Sequence, residues 1–135
     1  MQTLTIYTDP IAKGRPRIGI NRSTGRAMAF TPSKTVKAEA SMRALIVNCN
    51  PTMYAQHVPI TVEIRFFLRR PDSLPKRILH PAKKPDIDNL LKTVSDAANG
   101  VLWWDDAQIV SLTCRKAYCA PDERPRIEIE AGEVQ

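Results

Sequence analysis

Asp86, Asp88 and Lys92, followed by Asp105 and Asp106, are the residues whose type and spacing could do chemistry. They stand in Lys84-Pro85-Asp86-Ile87-Asp88-Asn89-Leu90-Leu91-Lys92 and in Trp103-Trp104-Asp105-Asp106-Ala107-Gln108. In extended chain, Asp86 and Asp88 would point to one face. Like charges that close raise each other's pKa unless a cation sits between them. A hard divalent ion with oxygen ligands, Mg²⁺ or Mn²⁺, is the natural answer. Asp88 also reads as the N-cap of the helix that follows, although a cap alone does not require Asp86. Lys92 lies one helical turn beyond Asp88. An ammonium there could stabilise charge developing on a phosphate or its leaving oxygen; the plainer alternative is a solvent-facing lysine. Asp105 or Asp106 could complete an Asp-rich site for phosphoryl transfer, or could simply belong to a solvated turn. Spacing alone leaves both pairs of alternatives open.

The elements that must position these residues are legible in outline. Thr3 to Thr8 reads as a short strand with Leu4 and Ile6 on one face. Asn21 to Gly25 reads as a turn at the tip of a hairpin. Thr31-Pro32 is a helix start, with Thr as N-cap and Pro at the first helical position. The spacing of Val36, Ala40, Ala44 and Val47 predicts a helix to Cys49, stopped by Asn50-Pro51. Ile60 to Leu68 alternates with a period of two, the mark of a strand with one buried face. Pro71 to Pro85 is a Pro-rich loop. A second helix runs from Asn89 to Asn99 with Leu90, Val94, Ala97, Ala98 and Val101 as its apolar stripe, and Gly100 caps it. Trp103 or Trp104 anchors the next loop in the core. Ile109 to Tyr118 and Arg126 to Glu130 read as two strands forming a hairpin. Arg115 or Lys116 would then pair with Glu128 or Glu130 across it. The expected fold is α+β: a single domain over residues 1–135, in β-α-β-α-β-β order, with a mixed β-sheet packed with two main helices.

Charge points to the partner. Twenty Lys+Arg stand against fourteen Asp+Glu in 135 residues, a net charge of +6. From Pro10 to Lys37 the bases Lys13, Arg15, Arg17, Arg22, Arg26, Lys34 and Lys37 meet no acid. From Arg65 to Lys84 the bases Arg65, Arg69, Arg70, Lys76, Arg77, Lys83 and Lys84 meet only Asp72. Such segments suit a polyanionic partner, either nucleic acid or an anionic membrane. If the partner is nucleic acid, Lys13, Arg15, Arg17, Arg69, Arg70, Lys76, Arg77, Lys83 and Lys84 are the candidate DNA-binding residues, holding phosphates without reading sequence.

The two motifs together resemble the RusA family of Holliday junction resolvases, typically encoded by phages and prophages. The resemblance lies in Asp86-x-Asp88-Asn89-Leu90-x-Lys92 and Trp103-x-Asp105-Asp106-Ala107-Gln108. Lys13-Gly14-Arg15-Pro16-Arg17 and Thr31-Pro32 add to it. It implies a homodimeric, Mg²⁺-dependent endonuclease, Mn²⁺ being the other candidate ion, that nicks four-way DNA junctions in symmetric pairs. It implies Asp86, Asp88 and Asp106 as catalytic and metal-binding carboxylates, and Lys92 as the catalytic lysine. The long loop from Pro71 to Pro85 departs from the pattern and touches the details of junction contact.

Other chemistry is poorly supplied. His57 and His80 have no second ligand at zinc spacing. Cys49, Cys114 and Cys119 read as small buried apolar residues. The odd cysteine number suits a reducing compartment. No apolar run approaches the ~20 residues of a membrane span, and the first residues lack the basic and apolar regions of a signal peptide. The expectation is a protein of the bacterial cytoplasm with no membrane partner and no small-molecule cofactor. Two rivals accompany it: a non-catalytic basic DNA-binding module, and a general flap or branched-DNA nuclease.

Overall fold

The computed structural model describes the chain apart from residues 13–16, 21–22 and 31–32, and describes backbone only at 17–19, 28–30 and 33–35. The elements are β1 (Gln2–Ile6), β2 (Arg17–Ile20), β3 (Ala27–Phe30), α1 (Ser33–Asn48), β4 (Ile60–Leu68), α2 (Ile87–Ala98), a 3₁₀ turn (Asp106–Gln108), β5 (Ile109–Tyr118) and β6 (Arg126–Glu133). The fold is α+β, as expected, with one four-stranded mixed sheet and two helices. β2 and β3 pair antiparallel as a separate two-stranded ribbon, which matches the hairpin expected around Asn21 to Gly25. The helix start expected at Thr31-Pro32 lies outside the described residues.

The sheet order is β1-β6-β4-β5, with β4 antiparallel to β6 and parallel to β5. The expected β5–β6 hairpin is therefore not formed, because β4 lies between the two strands. The reason is in the connection. α2 lies between β4 and β5 in sequence, and a helical crossover is what joins parallel neighbours. β4 alternates cleanly: Ile60, Val62, Ile64 and Phe66 are buried, while Thr61, Glu63, Arg65 and Phe67 sit half-buried on the other face.

That outer face carries an ion-pair ladder. Arg65 reaches Glu63 at 2.9 Å, Glu128 at 3.0 Å and Glu130 at 2.9 Å. Arg126 pairs with Glu128 at 3.0 Å and stacks over Phe67 at 3.9 Å. The glutamates expected to meet Arg115 or Lys116 are thus taken by Arg65 on the intervening strand. Arg115 comes no nearer than 3.8 Å to Glu63, and Lys116 points to the other face. Burial alone would raise the Glu128 carboxyl; Arg126 and Arg65 outweigh it and hold the group below the usual glutamate range.

The inner face packs on the helices. From α2 it receives Leu90, Val94, Ala97 and Ala98, the stripe expected from sequence. From α1 it receives Ala38, Met42 and Ile46. The stripe expected to be buried, Val36, Ala40, Ala44 and Val47, faces outward instead, with Val36 52% and Val47 48% exposed. Both stripes share helical spacing, and the one with the larger side chains removes more apolar area from water.

Replacing Arg65 by Met leaves Glu63, Glu128 and Glu130 facing one another without their shared cation. We expect Arg65→Met to destabilise the fold by about 1–3 kcal/mol at neutral pH. In urea unfolding the gap to wild type should shrink near pH 4, where the carboxylates of the variant take up protons. An equal gap at both pH values would show that the loss is one of packing.

Candidate active site

The first motif is set by the entry to α2. The helix begins at Ile87, two residues earlier than expected. Asp86, not Asp88, is the N-cap residue; it is extended (φ −69°, ψ 141°) and makes no side-chain capping bond. Asp88 therefore sits in the first helical turn, where the helix dipole favours a carboxylate. The two do not share the face of an extended strand, as i, i+2 spacing had suggested. The Asp86 carboxylate accepts from Lys84 Nζ at 2.9 Å. Lys116 of β5 pins the approach to the helix: its Nζ donates to the Lys83 carbonyl at 2.7 Å and the Pro85 carbonyl at 2.8 Å.

The second motif divides into anchors and a presented acid. Trp103 is fully buried, and its Nε1 donates to Asn99 Oδ1 at 2.9 Å. Gly100, at φ 77°, makes the turn that lets its N–H reach the Trp103 carbonyl at 2.7 Å, a conformation that favours glycine. Asp105 caps the 3₁₀ turn: its Oδ1 accepts from Ala107 N at 3.3 Å, while its own N–H donates to Gln108 Oε1 at 3.0 Å. Gln108 is buried and donates to the Ala55 and Val58 carbonyls at 2.6 and 2.9 Å. With Trp103, Asp105 and Gln108 so engaged, Asp106 is the acid of the motif that lines the cleft.

The cleft is about 310 Å³, lined by Asp88, Leu91, Lys92, Ser95, Asp106, Ile109 and Leu112. Asp88, Lys92 and Asp106 are thus brought together, whereas Asp86 is not among the lining residues. Lys92 is paired with Asp96 at 3.1 Å. That hydrogen bond is the largest influence raising the lysine's pKa, and Asp106 and Glu39 add to it. Burial first, and then Asp105, hold the Asp106 carboxyl above the usual aspartate range, with Lys92 pulling the other way.

Among the described residues, no three His, Cys, Asp or Glu side chains gather as a ligand cluster. The chemistry of the donors nevertheless fits a hard divalent cation. The carboxylates of Asp88 and Asp106 face one cleft, and Asp106 carries a charge that burial and Asp105 disfavour, which a cation would stabilise.

The candidate phosphate contacts fall into three groups. Lys13 and Arg15 lie outside the described residues, and Arg17 opens β2 with its side chain undescribed. Arg69, Lys76, Arg77, Lys83 and Lys84 are exposed. Arg70 is committed to the loop itself, donating to the Ile78 carbonyl at 2.6 Å and the Pro75 carbonyl at 2.8 Å. Sequence reasoning missed Asp96 altogether, and missed the roles that Gln108 and Lys116 take here. Asp96 stands at the ion-pairing distance i+4 from Lys92, and Gln108 at the capping-box distance from Asp105. Nothing local signals Lys116. The three cysteines are free thiols, and burial pushes Cys114 to about 11, far from a nucleophile's range.

The family model for endodeoxyribonuclease RusA matches residues 8–131. The chain is 31% identical over 140 residues to the uncharacterized protein YqaN of Bacillus subtilis (strain 168), covering 96% of this chain and 94% of that one. It is 33% identical over 97 residues to the crossover junction endodeoxyribonuclease rusA of Lactococcus phage r1t, covering 70% of each. With the family model matched over nearly the whole length of this α+β chain, the chain belongs to the RusA family of endodeoxyribonucleases.

Proposed function

We propose that the protein resolves four-way DNA junctions by Mg²⁺-dependent paired nicks, acting as a homodimer. The observation that carries this reading is the convergence of Asp88, Lys92 and Asp106 on one cleft from two separate motifs. Asp88 and Asp106 would hold the ion, with Asp86 joining them by exchanging its Lys84 partner. A hard divalent cation bound there supplies a polarised phosphoryl oxygen and a water activated for attack. Lys92 places its ammonium against the oxygens that gain charge in the transition state, while Asp96 holds it in position and protonated. Leu91, Ile109 and Leu112 supply the apolar part of the same cleft lining. The exposed bases Arg69, Lys76, Arg77, Lys83 and Lys84, with Lys13, Arg15 and Arg17, would grip phosphates of the arms. A non-catalytic module has no support beside membership of an endonuclease family. A general flap or branched-DNA nuclease is the reading to be separated, by offering junction, flap and linear duplex side by side in Mg²⁺ and in EDTA. Junction-selective, Mg²⁺-dependent nicking is expected. Its work would lie in the bacterial cytoplasm, beside the DNA.

The homodimer rests on the exposed stripe of α1. Val36, Ala40, Ala44 and Val47 read nearly the same in both directions, with small residues central, so two copies can pack antiparallel about a two-fold axis. Glu39 and Arg43 flank the stripe and would face their opposites across it. Light scattering should give about twice 15.2 kDa, and Ala40→Glu should give the monomer and uncouple the paired nicks. A dimer unaffected by Ala40→Glu would move the interface elsewhere.

Replacing Asp88 or Asp106 by Asn should abolish nicking while junction binding, measured by mobility shift in EDTA, stays intact or tightens. Removing a carboxylate lessens repulsion of the phosphates. Binding lost in step with cleavage would mark these acids as structural.

Lys92→Ala should fold normally, bind the junction, and lose about 10²–10³ in single-turnover nicking rate. Lys92→Arg should recover little, since a planar guanidinium does not replace a compact ammonium at a tight site. A rate near wild type for Lys92→Ala would leave the lysine with no role beyond its ion pair.

A further inference from the structure

Trp104 stands two residues before Asp106 and is 53% exposed, in contrast to its fully buried neighbour Trp103. The exposure is enforced. Trp103 occupies the core, and the chain bends at Trp104 before Asp105 enters the 3₁₀ turn, so the second indole is left on the surface while the first is buried. The turn cannot swivel to hide the indole. It is tied by Gly100 N to the Trp103 carbonyl, by the reciprocal Asp105–Gln108 bonds, and by Gln108 to the 55–58 loop. Trp104 borders a groove of about 280 Å³ that also includes His57, Pro59, Ala107 and Val110. His57 is held there at φ 67°, and Val110 is 63% exposed. The groove shares the Asp105–Val110 segment with the cleft, since Asp106 and Ile109 line one and Asp105, Ala107, Gln108 and Val110 line the other.

We infer that Trp104 and this groove form a stacking subsite for a nucleobase next to the scissile phosphate, one released from its neighbours at the branch point. Three features favour a base as the occupant. A rigid indole offers a π-face that any base can stack on, without sequence preference. Part of the ordering cost is already met, because the turn that carries the indole is tied at Gly100, Asp105 and Gln108 before DNA arrives. The groove and the cleft that would hold the phosphate lie on either side of the same Asp105–Val110 segment, so a strand whose phosphate enters the cleft passes next to the groove. Asp105 and Asp106 disfavour an anionic occupant, whereas the uncharged face of a base meets no such penalty. This assignment rests on the nuclease reading above and adds to it a source of preference for branched over continuous duplex, in which no base is free to stack.

The test exploits the chain having two Trp in all, Trp103 and Trp104. The full-length protein is titrated in EDTA with a synthetic four-way junction, with a linear duplex of the same arm sequence, and with a single strand. Intrinsic fluorescence is compared with that of Trp104→Phe, in which Trp103 alone reports. We expect strong quenching of Trp104 by junction and single strand and little by duplex. Single-turnover junction cleavage should fall about tenfold or more in Trp104→Ala, with Trp104→Phe retaining most of the rate. Thermal unfolding should be nearly unchanged, since the side chain is exposed. Quenching that is the same for wild type and Trp104→Phe, or junction cleavage by Trp104→Ala at the wild-type rate, overturns the subsite while leaving the nuclease assignment standing. Wild-type protein that cuts no junction in Mg²⁺ or Mn²⁺ overturns the junction-resolving reading instead, and the metal-free quenching still decides whether Trp104 receives a base.

Discussion

The parallel pairing of β4 with β5 is the constraint on which the site depends. Two parallel neighbours must be joined by a crossover, and here the crossover carries α2. The start of α2 holds Asp88 and Lys92, and the turn that feeds β5 holds Asp106. Anchoring α2 through Leu90, Val94, Ala97 and Ala98 on the inner face of the sheet therefore also fixes the separation of the two motifs. A slip of one residue in β5 would reverse the face of every side chain along it. Leu112 would leave the cleft floor, and Lys116 would lose the Lys83 and Pro85 carbonyls that it holds.

Charge is handled differently on the two faces of the sheet. On the outer face Arg65 satisfies three carboxylates at once, and Arg126 supports it, so the ladder is internally compensated. On the cleft side burial and Asp105 outweigh Lys92 at Asp106. Asp106 is partly buried beside Asp105, and Lys92 divides its attraction between Asp96 and Asp106. Placing like charges together without full pairing costs stability, and it is found where a site is kept ready for a cation or a substrate. The ladder stiffens β4 and β6; the cleft keeps the residual field that a metal and a phosphate would use.

The motif from Trp103 to Gln108 shows how few of a motif's residues reach the cleft. Trp103 fills the core, Asp105 and Gln108 close a capping box, and Gln108 also ties the turn to the 55–58 loop. Asp106 is what this scaffold presents to the cleft, and Trp104 is what it presents to solvent. The same division holds for the first motif: Leu90 is core, Asp88 and Lys92 face the cleft, and Lys116 from a distant strand braces the backbone before Asp86. Rigid support of this kind is what holds catalytic groups in register.

The sequence by itself determined the elements with a single strong periodicity. β4, with five alternating apolar residues, and α2, with one apolar stripe and Gly100 behind it, were legible because only one burial of each is compatible with its pattern. The two motifs were legible as chemistry because their residue types and order are specific. Tertiary structure decided whatever local pattern left degenerate. α1 carries two apolar stripes at equal spacing, and only competition for core volume selects Ala38, Met42 and Ile46 over Val36, Ala40, Ala44 and Val47. Adjacent strands in sequence suggested a β5–β6 hairpin, but the pairing energy of β4 with both neighbours, and the helix in the crossover, separate them. Asp86 and Asp88 looked equivalent by spacing, yet a helix that starts at Ile87 turns one toward Lys84 and the other toward the cleft. Asp105 and Asp106 were indistinguishable as letters; the capping box, closed through Gln108 and its distant carbonyls at Ala55 and Val58, assigns one to the turn and the other to the cleft.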